Sequence, residues 1–395
     1  MTHKPLPVKK QKLSDFAQKA TLISITLASI IAVSSVIPLF PLLAKHFNVE
    51  LHDIGIVLVL IALPGVFLSP VAGVLADRWG RKKLLLVALV WHSLASLACA
   101  FTNDLLSFLF VAFLMGVGAA PLLMLYATII GDLYQGVERI KMLSLNSTAM
   151  GIGVAFFPFL SGLLGDINWR LPFFLPLLAL PAAFAASRLE FPPLKNNDTI
   201  SHYLDNTLHI LRNKKILAVF VVSLLTFVSG YSAIYTGISF IAHLKFEASS
   251  SEIGTVLAFG ALSTACGAFL LGRFAPLFSP RFFMMTSYFC HIVALSSIYF
   301  FTGLWWLIIP VAIYGFGQGF ITPNIYSQIM LNTPEESRAV VMAINAMIIR
   351  AAQVLGPLLS GFLLKHFGLA SIFEVSILMM CVLLILVYLF IQKKA

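Results

Sequence analysis

Twelve long apolar runs constrain what this 395-residue chain can fold into. About 20 apolar residues in an α-helix cross the roughly 30 Å hydrocarbon core of a bilayer. The chain is 59% hydrophobic and only 11% charged, whereas about a quarter of the residues in a soluble domain are charged. The sequence therefore predicts an all-α polytopic membrane protein and excludes an ordinary soluble domain.

The apolar runs fall into two groups of six. A polar segment over 189–215 separates the groups, and its pattern at 200–211 predicts a short amphipathic helix. The predicted spans are about 20–44, 52–76, 82–101, 105–131, 140–164, 170–188, 216–243, 252–274, 282–302, 305–330, 339–364 and 371–391. The predicted organisation is a cytoplasmic tail (1–19), a six-helix bundle (20–188), a cytoplasmic linker (189–215), a second bundle (216–391) and a cytoplasmic C-terminus (392–395).

Basic residues predict the orientation. The side that holds both termini and the linker carries 21 of the 26 Lys and Arg residues, and the other side carries four. Basic loops stay in the cytoplasm, so we expect both termini there, in a multi-pass protein of the cell inner membrane. The net charge of +10 then reflects loops that meet anionic lipid, and no nucleic acid partner is expected. The four cysteines lie inside apolar runs without ligand spacing, which predicts no metal site.

The two groups match when the chain is shifted by 199 residues. Aligned pairs include Asp53 with Glu252, Gly73 with Gly272, His92 with His291, Gly116 with Gly315, Asn146 with Asn345, and Pro158 with Pro357. Two related halves of like orientation are the parallel-repeat plan of transporters that rock two bundles around a site at the midplane. A channel or a receptor does not require such a repeat.

The segment 73–83 concentrates charge in an otherwise apolar chain. It reads Gly-Val-Leu-Ala-Asp-Arg-Trp-Gly-Arg-Lys-Lys and closely resembles the motif that follows helix 2 in the major facilitator superfamily. Further resemblances lie at 132–139, at the Gly-x-Gly of 315–319 and at the Gly-Pro segment of 356–361. The resemblance covers essentially the whole chain and implies the major facilitator fold of twelve transmembrane helices. Within the superfamily the chain is most similar to drug:proton antiporter-type exporters.

The resemblance implies a cytoplasmic gate. In the family the acid of the helix 2 motif latches the two halves against the start of helix 11, and an arginine and a helix 4 acid support it. A plain solvated loop is the alternative. The residues that carry these roles here are Gly73, Asp77, Arg78, Gly80, Arg81, Lys82, Asp132 and Arg139. The helix-bending positions are expected at Pro158, Gly162, Pro357 and Gly361.

The chain also departs from the family pattern. The helix 4 motif has an arginine where this chain has Ala112, and the antiporter motif of helix 5 loses two glycines to Phe157 and Ser161. The first span offers Ser34 and Ser35 where many proton-coupled exporters carry an acid. These departures weaken the prediction of proton coupling.

Arg350 is the one charge predicted deep inside a span. It lies 11 residues past the predicted start of the eleventh span, roughly 16 Å deep at 1.5 Å per residue. A charge at that depth faces a cavity or a partner. Arg350, with Gln353 on the same helical face, is either an anion anchor in a substrate cavity or a structural arginine.

Helices 1, 4, 7 and 10 line the cavity in the family's plan. Polar and aromatic residues on them suit a ligand of mixed character, although any one of them is equally explained as a hydrogen bond between helices. The candidate substrate-binding residues are Tyr231, Tyr235, Gln318, Thr322, Tyr326, Tyr126, Ser34 and Ser35, together with Arg350 and Gln353.

Three residues are weak candidates for carrying protons. His92 and His291 have side chains that titrate near neutral pH, but their helices are peripheral in this architecture, so local packing is the favoured interpretation. Glu374 opens the last span. Asp53 and Glu252 open spans 2 and 8, where acids stabilise helix starts.

The sequence predicts a secondary active transporter that works by alternating access. Proton-coupled export of a small organic molecule is the first hypothesis. Transport of an organic anion, such as a carboxylate metabolite or siderophore, is the second, and a non-transporting receptor or scaffold is the third. No enzymatic constellation and no phosphate-binding loop are present. The expected partners are the substrate, protons and lipid, with no cofactor, and the protein is expected to be monomeric.

Overall fold

The structure is a computed structural model of the chain, and it describes residues 15–134, 136–189, 213–275, 277–333 and 338–390. All regular secondary structure in these ranges is helical. The predicted linker lies almost entirely outside them, as does its amphipathic helix. The proposed division into domains therefore stays a prediction. We use "first half" for helices α1–α6 and "second half" for α7–α12.

The helices follow the predicted spans in order. In the first half they are α1 (Asp15–Val36, a 3-10 turn at Ile37–Leu39, then Phe40–Phe47), α2 (Ile56–Trp79), α3 (Arg81–Cys99), α4 (Leu105–Leu133), α5 (Gly136–Ile167) and α6 (3-10 turns over Leu171–Leu178, then Ala179–Ser187). In the second half they are α7 (Lys214–Ser229, a π-helix over Gly230–Gly237, then Ile238–Phe246), α8 (Ser250–Phe274), α9 (Pro280–Ser297, then Ile298–Phe300), α10 (Leu304–Leu307, then Ile308–Leu331), α11 (Arg338–Phe367) and α12 (Leu369–Phe390).

Three local predictions need correction. The sixth span begins in 3-10 turns because Pro172 and Pro176 lack the N–H donors that an α-helix needs. The first span runs beyond 20–44 at both ends, and its helices form a bend of 44°. The predicted loop 132–139 is mostly helical, since α4 ends at Leu133 and α5 begins at Gly136.

Within the described residues, nine helices are long and apolar enough to cross a membrane, or ten if bent α1 counts as one span. The remaining two, α2 and α6, contribute shorter apolar stretches at Ile56–Ser69 and Leu171–Ser187. Large apolar side chains such as Phe67, Phe269 and Phe300 are exposed on the outside of the bundle, as lipid contact requires. The chain is therefore a multi-pass membrane protein, while the count of twelve spans stays a prediction.

The contacts between helices repeat with the same 199-residue offset as the sequence. A Cβ atom on Gly116 would lie 2.2 Å from the carbonyl oxygen of Ile61, and one on Gly315 would lie 2.1 Å from that of Gly260. Positions 61 and 260 are themselves 199 residues apart. Each half thus packs its second and fourth helices together at a glycine, so the sequence repeat is also a repeat of helix contacts.

The two halves meet closely at one end of the bundle. We call the end that holds residues 48–55 the outer end, and the end that holds Gly80 the inner end, as the basic residues predict. At the outer end, α5 packs along α8 and α2 packs along α11. The ring centroids of Phe40 on α1 and Phe240 on α7 lie 6.5 Å apart. The outer end is therefore closed.

Pro158, Gly162, Pro357 and Gly361 lie in these contacts between the halves. A Cβ atom on Gly162 would lie 2.2 Å from the carbonyl oxygen of Ser250, and one on Gly361 would lie 2.3 Å from that of His52. Both prolines sit inside continuous helices. Their role as bending points stays a prediction, but the glycines clearly permit close approach of the halves.

Candidate functional site

A buried polar cluster surrounds Arg350 near the middle of α11. Its guanidinium Nη1 donates to Oε1 of Gln353 at 2.9 Å, and Nε2 of Gln353 donates to the hydroxyl of Tyr231 at 2.7 Å. Arg350 is only 5% exposed. None of the ion pairs found among the described residues includes it. The cluster therefore holds a desolvated positive charge whose local partners are neutral groups.

The second half supplies most of this cluster through an irregular segment of α7. The π-helix at Gly230–Gly237 carries both Tyr231 and Tyr235, whose rings stack with centroids 5.0 Å apart. α11 approaches this segment closely, because a Cβ atom on Gly356 would lie 2.6 Å from Cβ of Tyr231. Single π turns are rare and are frequent at functional sites. Sequence periodicity placed the two tyrosines on one face but could not indicate the π turn.

The cluster also touches the first half. A Cβ atom on Gly65 of α2 would lie 3.1 Å from both Cδ and Nε of Arg350. Arg350 thus lies against the boundary along which the two halves would move. A ligand that binds this arginine would therefore lie close to both halves.

The other predicted cavity residues lie on α4 and α10. Gln318 donates to the Thr322 hydroxyl at 3.2 Å. Tyr126 on α4 and Tyr326 on α10 are both half-buried. Aromatic faces and hydroxyls of this kind suit a small organic molecule with polar substituents.

Ser34 and Ser35 on α1 are placed differently from this group. Ser35 is buried, and its backbone carbonyl accepts a hydrogen bond from the hydroxyl of Ser161 on α5. Ser34 is half-buried. The backbone of Ser35 therefore joins helices, and a substrate role for the two serines stays a prediction. No group of three potential metal ligands occurs within the described residues.

The inner loop between α2 and α3 turns at Gly80. Its φ of +91° is a conformation that side-chain-bearing residues rarely adopt. Arg81 then forms an ion pair with Asp132 of α4, and the Lys82 ammonium donates to the carbonyl of Leu189 at 2.9 Å. These contacts tie the loop to α4 and to the residue two positions after the end of α6.

The remaining gate residues are only partly described. Arg78 is exposed at the end of α2. The side chains of Asp77 and Arg139 lie outside the described part of the structure, and Gly73 lies within α2. The predicted latch between Asp77 and α11 therefore stays a prediction.

Replacing Gly80 with alanine should lower the free energy of unfolding by about 1–3 kcal/mol, because a Cβ is strained at this positive φ. Gly272→Ala is the matched control, since a Cβ atom there meets nothing within 4 Å. We expect no destabilisation in the control. Thermal unfolding of both purified variants in one detergent measures the difference, and equal melting temperatures would contradict this reading of the turn.

His92 and His291 occupy equivalent places between helices. Nδ1 of His92 lies 3.3 Å from the carbonyl oxygen of Met115. His291 stacks on Tyr314, the residue at the repeat position of Met115, with centroids 3.9 Å apart. Both histidines are completely buried. Such matched contacts favour packing, whereas Glu374 is exposed on α12. A proton role for any of the three stays a prediction.

Two polar contacts at the outer end involve α8. Glu252 forms a capping box with Ser249, which confirms the helix-start role predicted for that acid. Asp166 at the end of α5 was not predicted. Its two carboxylate oxygens accept from the backbone N–H groups of Ser250 and Ser251, at 2.9 and 3.1 Å. The repeat gave no hint of this contact, because Lys365 occupies the equivalent position.

Repeated helix contacts, two halves closed at one end and a polar cluster at their boundary define a membrane transporter built from two related bundles. The sequence profile described as Major Facilitator Superfamily matches residues 22–351 and 222–395. The chain belongs to this superfamily, and its members are transporters and not enzymes.

Curated relatives include exporters. Tetracycline resistance protein, class B, from Escherichia coli is 25% identical over 353 residues, which cover 87% of each chain. Quinolone resistance protein NorA from Staphylococcus aureus (strain Mu50 / ATCC 700699) is 23% identical over 335 residues, covering 84% of this chain and 86% of NorA. These relatives confirm the resemblance to drug:proton antiporter-type exporters.

Solved structures share the fold. A D-xylose-proton symporter superposes with a TM-score of 0.77 at 14% identity, covering 96% of this chain and 98% of the symporter. The nucleoside transporter NupG superposes with a TM-score of 0.74 at 16% identity, covering 94% of this chain and 98% of NupG. The predicted major facilitator fold is thus confirmed.

Proposed function

We propose that the protein is a secondary active transporter that exports a small organic molecule by alternating access, in exchange for protons. The observation that carries the proposal is the polar and aromatic cluster at the boundary of the halves, formed by residues of α7 and α11 beside Gly65 of α2. The efflux-type relatives named for tetracycline and quinolone resistance support export as the direction. The location we propose is the cell inner membrane, with both termini in the cytoplasm.

Purified protein in liposomes tests this function. Substrate movement should follow an imposed pH gradient and should stop when a protonophore collapses that gradient. Liposomes without protein and liposomes with a sodium gradient at equal pH are the controls. Transport that responds to sodium, or only to the substrate gradient, would contradict proton exchange, and a chain that moves no ligand would favour a receptor or scaffold.

A second candidate is transport of an organic anion, such as a carboxylate. Arg350 favours it, because a buried guanidinium whose hydrogen-bond partner among the described residues is neutral leaves its charge available to a ligand. Stacked Tyr231 and Tyr235 would lie beside an aromatic or amphipathic part of that ligand. Export and an anionic substrate are compatible, so the two candidates differ in ligand charge and not in mechanism.

A further inference from the structure

We propose that Asp166 is a gating residue of the outer end, where it latches the two halves by capping the first turn of α8. The inference rests on the proposed alternating-access cycle, in which each end of the bundle must close and open in turn. It concerns a contact far from the polar cluster around Arg350. It also differs from the predicted latch of Asp77, which lies at the opposite end of the bundle.

The contact crosses from one half to the other. Asp166 is in the last turn of α5, and both oxygens of its carboxylate accept backbone N–H groups of α8. The first N–H groups of a helix have no partner within that helix, and the N-terminus carries a partial positive charge. One carboxylate of the first half therefore satisfies two donors and a helix dipole of the second half.

α8 already has a cap of its own. Ser249 and Glu252 form a complete capping box within the same helix. α8 does not need Asp166 in order to begin where it does, so the contribution of Asp166 falls on the contact between the halves. Close backbone packing of Gly162 against Ser250 holds the carboxylate in place. When the outer end opens, these N–H groups and the carboxylate must separate and return to water.

The equivalent contact of the repeat is built differently. Lys365 occupies the position of Asp166 at the end of α11, and an ammonium cannot accept hydrogen bonds from backbone N–H groups. His52 and Asp53 lie in the turn before α2, the helix that faces it, and the Asp53 side chain is 60% exposed. The contact of α5 with α8 therefore carries a polar latch. The equivalent contact of α11, with the turn before α2, closes by backbone packing at Gly361.

A single reporter cysteine tests the latch. Ser239 on α7 is completely buried at the outer end, where its hydroxyl donates to the carbonyl of Ile37 at 3.4 Å. In a variant without the four native cysteines, Ser239→Cys should react slowly with a membrane-impermeant maleimide added from outside. Asp166→Asn should speed this labelling by about 2- to 30-fold, the range expected from loss of a helix cap.

A second variant removes the contact from the other half. Ser250 is the first residue of α8 and follows Ser249, whose backbone is extended (φ −71°, ψ 165°). Proline is tolerated at this position and lacks the N–H that Asp166 accepts. Ser250→Pro should raise the labelling rate less than Asp166→Asn does. The two changes together should raise it by less than the product of their separate effects.

Asp104→Asn is the matched control. Asp104 also caps a helix at the outer end, where it accepts from the backbone N–H and the hydroxyl of Ser107 at 2.9 and 2.7 Å. These hydrogen bonds, above all that from the backbone, lower the pKa of Asp104, so it is ionised at neutral pH. Both partners lie in the first half, so labelling of Ser239→Cys should not change.

Labelling needs neither substrate nor a pH gradient, so its outcome is independent of what the protein transports. Size-exclusion profiles and melting temperatures confirm that each variant is folded. Unchanged labelling in folded Asp166→Asn protein would overturn the proposal. So would an equal increase in Asp104→Asn, or labelling rates for Asp166→Asn and Ser250→Pro that multiply as independent effects.

Discussion

Replacing Arg350 with glutamine is expected to lower uptake of an organic anion into everted vesicles by more than about tenfold, since a hydrogen bond to a charged group contributes about 1.5–3 kcal/mol. Transport of a cationic or neutral ligand should change by much less. The reason is electrostatic: the guanidinium is buried, and its described partners, Gln353 and Tyr231, are neutral. Competition assays with anionic and cationic ligands on the same vesicles measure both effects.

Two controls separate charge from geometry. Arg350→Lys keeps the positive charge but loses the planar fork of donors, so anion transport should fall to an intermediate level. Arg273→Gln removes an exposed arginine at the end of α8 and should leave transport unchanged. An equal loss for anions and cations in Arg350→Gln would identify a structural arginine, whose contact with Gly65 then holds the two halves in register.

Sequence reasoning located the deep charge and its helical neighbour. Residues 350 and 353 are three apart on one helical face, and the structure joins them by a hydrogen bond of 2.9 Å. Span length and a single arginine were sufficient for that prediction. The partner on α7 was not predictable, because the distance from Tyr231 to Gln353 depends on how two helices far apart in sequence pack.

Local irregularities were less accessible from the sequence. Periodicity predicts a uniform α7, whereas the segment around Tyr231 and Tyr235 is a π-helix. Gly356 lets α11 approach this segment closely, and a glycine in the sequence does not reveal which residue it contacts. The 3-10 start of α6 was more accessible, because Pro172 and Pro176 remove donors from any α-helix there.

The basic segment 73–83 has only a weak counterpart in the second half, where an offset of 199 residues aligns Pro276 with Asp77. This asymmetry in the sequence predicts that the first half gates and the second half binds, and the structure refines that division. Tyr231, Arg350 and Gln353 do come from the second half. The outer closure, however, uses Asp166 of the first half and the helix start of the second. Gating at that end is therefore a property of the boundary and belongs to neither half alone.

The close approach of Gly162 on α5 to the backbone of Ser250 leaves no room for a larger side chain. Gly162→Val should hinder closure of the outer end and reduce transport by about 5- to 150-fold, because overpacking of this kind costs about 1–3 kcal/mol. A Cβ atom at 162 would lie 2.2 Å from the carbonyl oxygen of Ser250, and a backbone atom cannot turn aside as a side chain can. The measurements are transport in liposomes and outside labelling of Ser239→Cys, which should become fast.

Gly151→Val on the same helix provides the comparison. A Cβ atom at 151 meets nothing within 4 Å, so this variant has the same change in helix propensity without the clash. It should transport and label like the parent protein. Asp166→Asn weakens an attraction and leaves closure sterically possible, so it should retain more transport than Gly162→Val. If Gly162→Val transports normally while Gly151→Val does not, helix α5 is sensitive to valine for a reason other than its approach to α8.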